Sequence, residues 1–200
     1  MVPSSRIAHW LSRITRKILI KAKKTTILVL VDLENILVNT DISTEVSITK
    51  RFDEFLEWLG KIGKIAGVFV FSPHHLIPQF EKYFLDRKFF IILCPKIFQE
   101  EKQESIDTVD ATLTEFGRKM LSQISSLTHL CLCSGDAGFL NCSWSEDKNC
   151  LPLLKEAEKA GLRIIIGAGN LTSLSSELIP LAEIDPETNR RRVFIFSSDN

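Results

Sequence analysis

Five short runs of β-branched, aromatic and other apolar residues punctuate the chain: Thr26 to Val31, Ile65 to Phe71, Phe89 to Leu93, His129 to Cys133 and Leu162 to Ile166. Near-continuous apolar runs of this length predict strands buried on both faces. Between them lie segments with helical spacing, clearest at Val109, Leu113, Phe116, Met120, Leu121 and Ile124, and again at Leu153, Leu154, Ala157 and Ala160 before Gly161. Alternating strands and helices predict an α/β fold with a mainly parallel central sheet and helices on both faces, because parallel neighbours need crossover connections and a helix is the usual crossover. If the chain winds outward from the first strand and returns on its other side through the fourth, those two strands are neighbours at the switch point. Their carboxyl-terminal loops then form one crevice, where ligands bind in such sheets. After Arg190, Arg191 and Arg192, the run Val193 to Phe196 predicts a closing edge strand.

Two segments depart from this rhythm. Residues 1–24 place Ile7, Trp10, Leu11, Ile14 and Ile18 at helical spacing with arginines and lysines between them, which predicts a basic amphipathic helix ahead of a domain spanning 25–200. Its uses are docking on the acidic body or a protein partner, lying on an anionic membrane surface, or holding nucleic-acid phosphates. The stretch from 138 to 149 holds Trp144 among small and polar residues and reads as an inserted loop.

Composition narrows the classes. A chain of 200 residues with 44% hydrophobic and 25% charged residues fits one folded domain with a short appendage. The formal net charge is zero, but seven of the 25 basic residues precede any acid, so from Thr25 onward 18 basic residues face all 25 acids, a formal charge of −7. A basic tail therefore precedes an acidic body. The run Ile27 to Val31 is far too short to span a bilayer, and Arg13, Arg16 and Lys17 interrupt what would be a secretory signal. Five cysteines with no C-x-x-C pair, mostly within apolar segments, predict buried reduced thiols in a cytoplasmic protein and give no zinc spacing.

Three acids occupy positions where such a sheet places functional groups. Asp32 follows the first strand, Asp136 follows the fourth in Ser-Gly-Asp, and Asp110 falls in the first turn of the helix entering the fourth strand. Crowded carboxylates repel one another unless a cation balances them, and oxygen-only ligands suit magnesium or manganese. Each acid also has a purely structural reading. Asp107 and Asp110 have the spacing of helix-capping acids, Asp136 suits a turn, and Asn35 suits a cap after the first strand. An aspartyl-phosphatase reading would pair Asp32 with Glu34, but the surrounding signature is absent; Gly167-Ala168-Gly169 lacks the third glycine of a dinucleotide loop.

Taken in order, Val31-Asp32-Leu33-Glu34-Asn35, Val109-Asp110 with Leu113, Cys133-Ser134-Gly135-Asp136, and Leu151-Pro152-Leu153-Leu154 through Gly161-Leu162-Arg163-Ile164 resemble the NYN-domain family of PIN-like ribonucleases over roughly residues 25 to 169. The resemblance implies a three-layer PIN-like fold in which Asp32, Asp110 and Asp136 hold magnesium or manganese and hydrolyse single-stranded RNA. Asn35 would be a nearby polar partner, and Arg13, Arg16, Lys17 and Lys21 would contact RNA phosphates. The chain departs from the family pattern at Phe116, where a further acid is usual, and at Ala137-Gly138-Phe139 after Asp136. Ser145-Glu146-Asp147-Lys148-Asn149-Cys150 offers a second alignment of the same motif, making Asp147 and Asn149 supporting polar candidates. These losses leave open a fold retained for RNA binding or regulation without turnover.

Overall fold

The computed structural model describes residues 25–40, 44–99, 104–106, 108–142 and 152–197. The tail 1–24, with Arg13, Arg16, Lys17 and Lys21, lies outside the described residues, as do Asp107, Asp147 and Asn149. Strand β1 (Thr26–Asp32) leads to α1 (Leu33–Val38), α2 (Glu45–Ile62), β2 (Lys64–Ser72), a 3-10 turn (His74–Leu76), α3 (Ile77–Asp86) and β3 (Phe90–Leu93). A small antiparallel pair, β4 (Ile97–Gln99) and β5 (Glu104–Ile106), precedes α4 (Val109–Gln123) and β6 (His129–Cys133). The chain continues through α5 (Gly138–Asn141), α6 (Leu153–Lys159), β7 (Arg163–Ala168), a second 3-10 turn (Ile179–Leu181) and β8 (Val193–Ile195).

The main sheet has the order β3-β2-β1-β6-β7-β8, and every pairing in it is parallel. The strand order reverses between β1 and β6, as the sequence predicts, with Val31 beside Cys133 at their carboxyl ends. Alternation along β1 splits the core into two layers. Ile27, Val29 and Val31 pack with Ile48, Phe52 and Phe55 of α2 and Phe80 and Phe84 of α3. Leu28 and Leu30 pack on the other face with Leu113 of α4, Phe139 of α5 and Leu153 of α6. Fully burying each such side chain contributes about 1.5–3 kcal/mol, so the central strand anchors both helical layers. The fold is a parallel sheet with helices on both faces.

Local chemistry fixes the element ends. Thr44 caps α2 by accepting the Ser47 N–H at 3.3 Å. Gly161, at φ +76°, ends α6 in the left-handed conformation that lets Leu162 N–H reach back to Ala157 O. Arg51 of α2 donates to the carbonyls of Ile195, Phe196 and Ser197, tying the outermost strand to the helical layer. At the amino ends of the strands, the nearly buried Glu183 accepts from Arg163 at 2.6 Å, pairs with Arg192 at 3.2 Å and bonds His129 Nε2 at 3.0 Å.

Two expectations change. Residues Gly138–Asn141, expected to open an inserted loop, form a helical turn with Phe139 and Leu140 buried; residues 143–149 lie outside the described residues. Cys94, Cys131 and Cys133 are free and buried, but Cys142 is disulfide-bonded, which departs from the prediction of reduced thiols. It lies at the end of α5, whereas Cys131 and Cys133 lie within β6 and Cys94 directly follows β3. Among the described residues no helix is long and apolar enough to cross a membrane.

Candidate functional site

The site grows from the last residue of β1. Asp32 is the N-cap of α1: its Oδ1 accepts the Asn35 N–H at 3.1 Å. Its Oδ2 accepts from the Ser134 hydroxyl at 3.4 Å, and the residue is only 6% exposed. The cap expected of Asn35 is therefore supplied by Asp32. A carboxylate is favoured in that position because the first-turn N–H groups lack helical acceptors and carry the positive end of the helix dipole. Asn35 does something else. Its Oδ1 accepts the Gly135 N–H at 2.9 Å, joining α1 to the loop after β6, while its carbonyl accepts from Asn39 Nδ2 at 2.8 Å.

The β6 loop is held from a second side. Ser175 N–H donates to the Gly135 carbonyl at 3.0 Å, and an added Cβ on Gly135 would overlap the carbonyl oxygen of Ser173. Only glycine fits between Asn35 and the loop after β7. Ser134 Oγ also accepts the Asp136 N–H at 3.3 Å, so the Asp32 carboxylate and the Asp136 backbone are joined through one hydroxyl. The Asp136 side chain is exposed, and its Oδ1 accepts the Gly138 N–H at 2.8 Å, the turn role foreseen for it.

Asp110 sits in the first turn of α4, behind Thr108, which occupies the N-cap position and donates to the Pro95 carbonyl at 2.7 Å. Asp32, Asn35 and Asp110 line one cleft of about 260 Å³ at the β1 carboxyl end; Asp136 is not part of its lining. The cleft contains a third acid, which the sequence pairs with Asp32 only under the phosphatase reading. Glu34 lines it and pairs with Lys96 at 3.2 Å. Its signal was present, an acid two residues after Asp32 at a strand-to-helix junction, but such a residue also reads as an acid favoured by the helix dipole. Lys96 is thus engaged by Glu34.

The donor set is all oxygen, and magnesium is commonly held by one or two carboxylates with the remaining positions filled by water and substrate phosphate. Asp32 and Asp110 suit that minimal arrangement. Among the described residues, however, no three His, Cys, Asp or Glu side chains converge as a metal-binding group. The cleft is therefore lined by three acids, Asp32, Glu34 and Asp110, with a donor set more open than a closed cage. No family model and no curated protein matches the chain.

Proposed function

We propose that this protein is a divalent-metal-dependent ribonuclease of the PIN-like NYN type, cutting single-stranded RNA at the cleft formed by the carboxyl end of β1, α1 and the start of α4. The observation that carries the reading is the joint placement of Asp32 and Asp110 in one cleft at the switch point, with Asp136 linked to Asp32 through Ser134. The shared strand order alone would suit a dinucleotide-binding fold, but the loop after β1 carries Asp-Leu-Glu-Asn where such folds need glycines.

A bound magnesium or manganese supplies a Lewis acid for the phosphate and acidifies a water for in-line attack. Asp32 and Asp110 would hold that ion. Ser134 and the Asn35 N–H fix the Asp32 carboxylate, so its orientation is set before substrate arrives. Asp136 is exposed and outside the cleft lining, with Oδ1 engaged by Gly138, so the reading places the ion on Asp32 and Asp110. The Asn35 bond to Gly135 keeps the two strand-end loops in register.

The test is cleavage of a labelled single-stranded RNA with manganese, with and without chelator. Manganese-dependent cleavage lost in Asp32→Asn and Asp110→Asn supports the reading, and full activity in both variants rejects it. A second reading, an RNA-binding or regulatory module without turnover, is favoured by the absence of a three-residue metal group among the described residues. Tight RNA binding without product above the Asp32→Asn background selects it.

A further inference from the structure

A second cleft, of about 290 Å³, adjoins the acidic one and shares Glu34 and Val38 with it. It opens between α1, the start of α2 and the 3-10 turn before α3. Its floor is apolar, formed by Ile48 and Phe80, each 2% exposed. Its rim carries the exposed His75 ring and Gln79 amide, neither of which makes a side-chain hydrogen bond among the described residues. Among the described residues no lysine or arginine lines it, and Glu45 joins Glu34 in its lining.

We propose that this cleft is a nucleobase subsite, holding the base of the nucleotide next to the scissile phosphate and setting the base preference of cleavage. The inference rests on the ribonuclease reading and assigns the neighbouring cavity a role in it. The chemistry separates a base from a phosphate. Glu45 and the Lys96-paired Glu34 offer carboxylate oxygens that accept from the exocyclic amino groups of adenine, cytosine or guanine, and among the described residues no lysine or arginine lines the cleft to hold a phosphate. The Gln79 amide offers a donor and an acceptor to a base edge, and the imidazole of His75 offers a face for stacking. Val38, 75% exposed on the ridge common to both clefts, gives an apolar edge over which a nucleotide passes from one to the other. An exposed valine flanked by polar clefts has no packing role of its own, whereas base faces stack on apolar surface irrespective of sequence.

The experiment cleaves a randomised single-stranded RNA with manganese, sequences the product ends, and repeats this with His75→Ala, Gln79→Ala and Gln79→Glu. Circular dichroism confirms the fold of each variant. Wild type is expected to show a base bias at one position beside the cut. Gln79→Ala flattens it and raises KM about tenfold with kcat moved far less, the loss expected when one base contact is removed. Gln79→Glu shifts the bias towards bases that present an amino donor. The Asp32→Asn protein gives an independent arm: fluorescence anisotropy on a 12-nucleotide RNA should show about tenfold weaker binding when Gln79→Ala is added. Unchanged bias and KM in folded His75→Ala and Gln79→Ala, with wild type still cutting, overturn the subsite and leave the ribonuclease reading intact. Binding that depends on Gln79 in a wild type that does not cut supports the subsite and rejects hydrolysis. No RNA binding by wild type rejects both.

Discussion

Asn35 Oδ1 accepts the backbone N–H of Gly135 at 2.9 Å, a bond that crosses 100 residues of sequence to join the two loops flanking the candidate site. Asn35→Ala leaves that N–H, in a buried glycine, without its acceptor. Destabilisation of about 1–3 kcal/mol is expected, read as a lower urea midpoint with an unchanged m-value. Gly135→Ala should be at least as severe, because its methyl group meets the Ser173 carbonyl.

Asp32 both caps α1 and faces the cleft, and two substitutions separate the roles. Asparagine caps as well as aspartate, so Asp32→Asn should unfold within about 0.5 kcal/mol of wild type yet lose cleavage by about a hundredfold or more. Asp32→Ala should lose cleavage and also about 1 kcal/mol of stability. Parallel thermal melts and single-turnover RNA cleavage read both effects. An Asp32→Asn protein that cuts normally leaves Asp32 a cap and nothing more.

Burial holds the His129 imidazole below its ordinary pKa of 6.5, against the neighbouring Glu183 carboxylate, which favours the charged ring. The unfolded chain therefore takes up this proton at a higher pH than the folded one. Below about pH 6.5 the unfolded state binds more protons, so stability falls as pH falls through that window and is level above it. Melting temperatures between pH 7.5 and 5.5 should decline more steeply for wild type than for His129→Gln. Equal slopes would assign the acid sensitivity to other groups.

The basic tail should make RNA binding strongly salt-dependent, since the body beyond it is acidic. If Arg13, Arg16, Lys17 and Lys21 contact phosphates, changing all four to glutamine should reduce the slope of log K against log salt by about 3. Anisotropy titrations from 50 to 300 mM salt, run on an uncleaved Asp32→Asn background, measure it. An unaltered slope removes the tail from the RNA interface.

The switch point was legible because parallel strands buried on both faces leave uninterrupted apolar runs, and β1 and β6 are the clearest in the chain. That alone placed Asp32 and the Ser-Gly-Asp loop side by side. What the sequence hid were pairings between distant positions. His129 and Glu183 meet across 54 residues, and nothing local marks Glu183 as buried. Glu34 is visible in the sequence as a second acid after Asp32, but its place in the cleft is not, since an acid in a helix's first turn has a sufficient explanation in the dipole. Asp136 shows the limit of motif spacing: its backbone N–H meets the Ser134 hydroxyl that bonds Asp32, but its carboxylate accepts from Gly138 of its own turn.

The Arg163, Glu183, Arg192 and His129 cluster sits where the strands begin, and the acidic cleft where they end. His129 lies beside Ile27, five positions before Asp32 on β1, a rise of about 16 Å. Substitutions that far apart act additively unless they share a partner. The two poles of the sheet are thus independent handles: robustness can be tuned at one while the acidic cleft is left alone, so thermally hardened variants can be built before the proposed chemistry is tested on them.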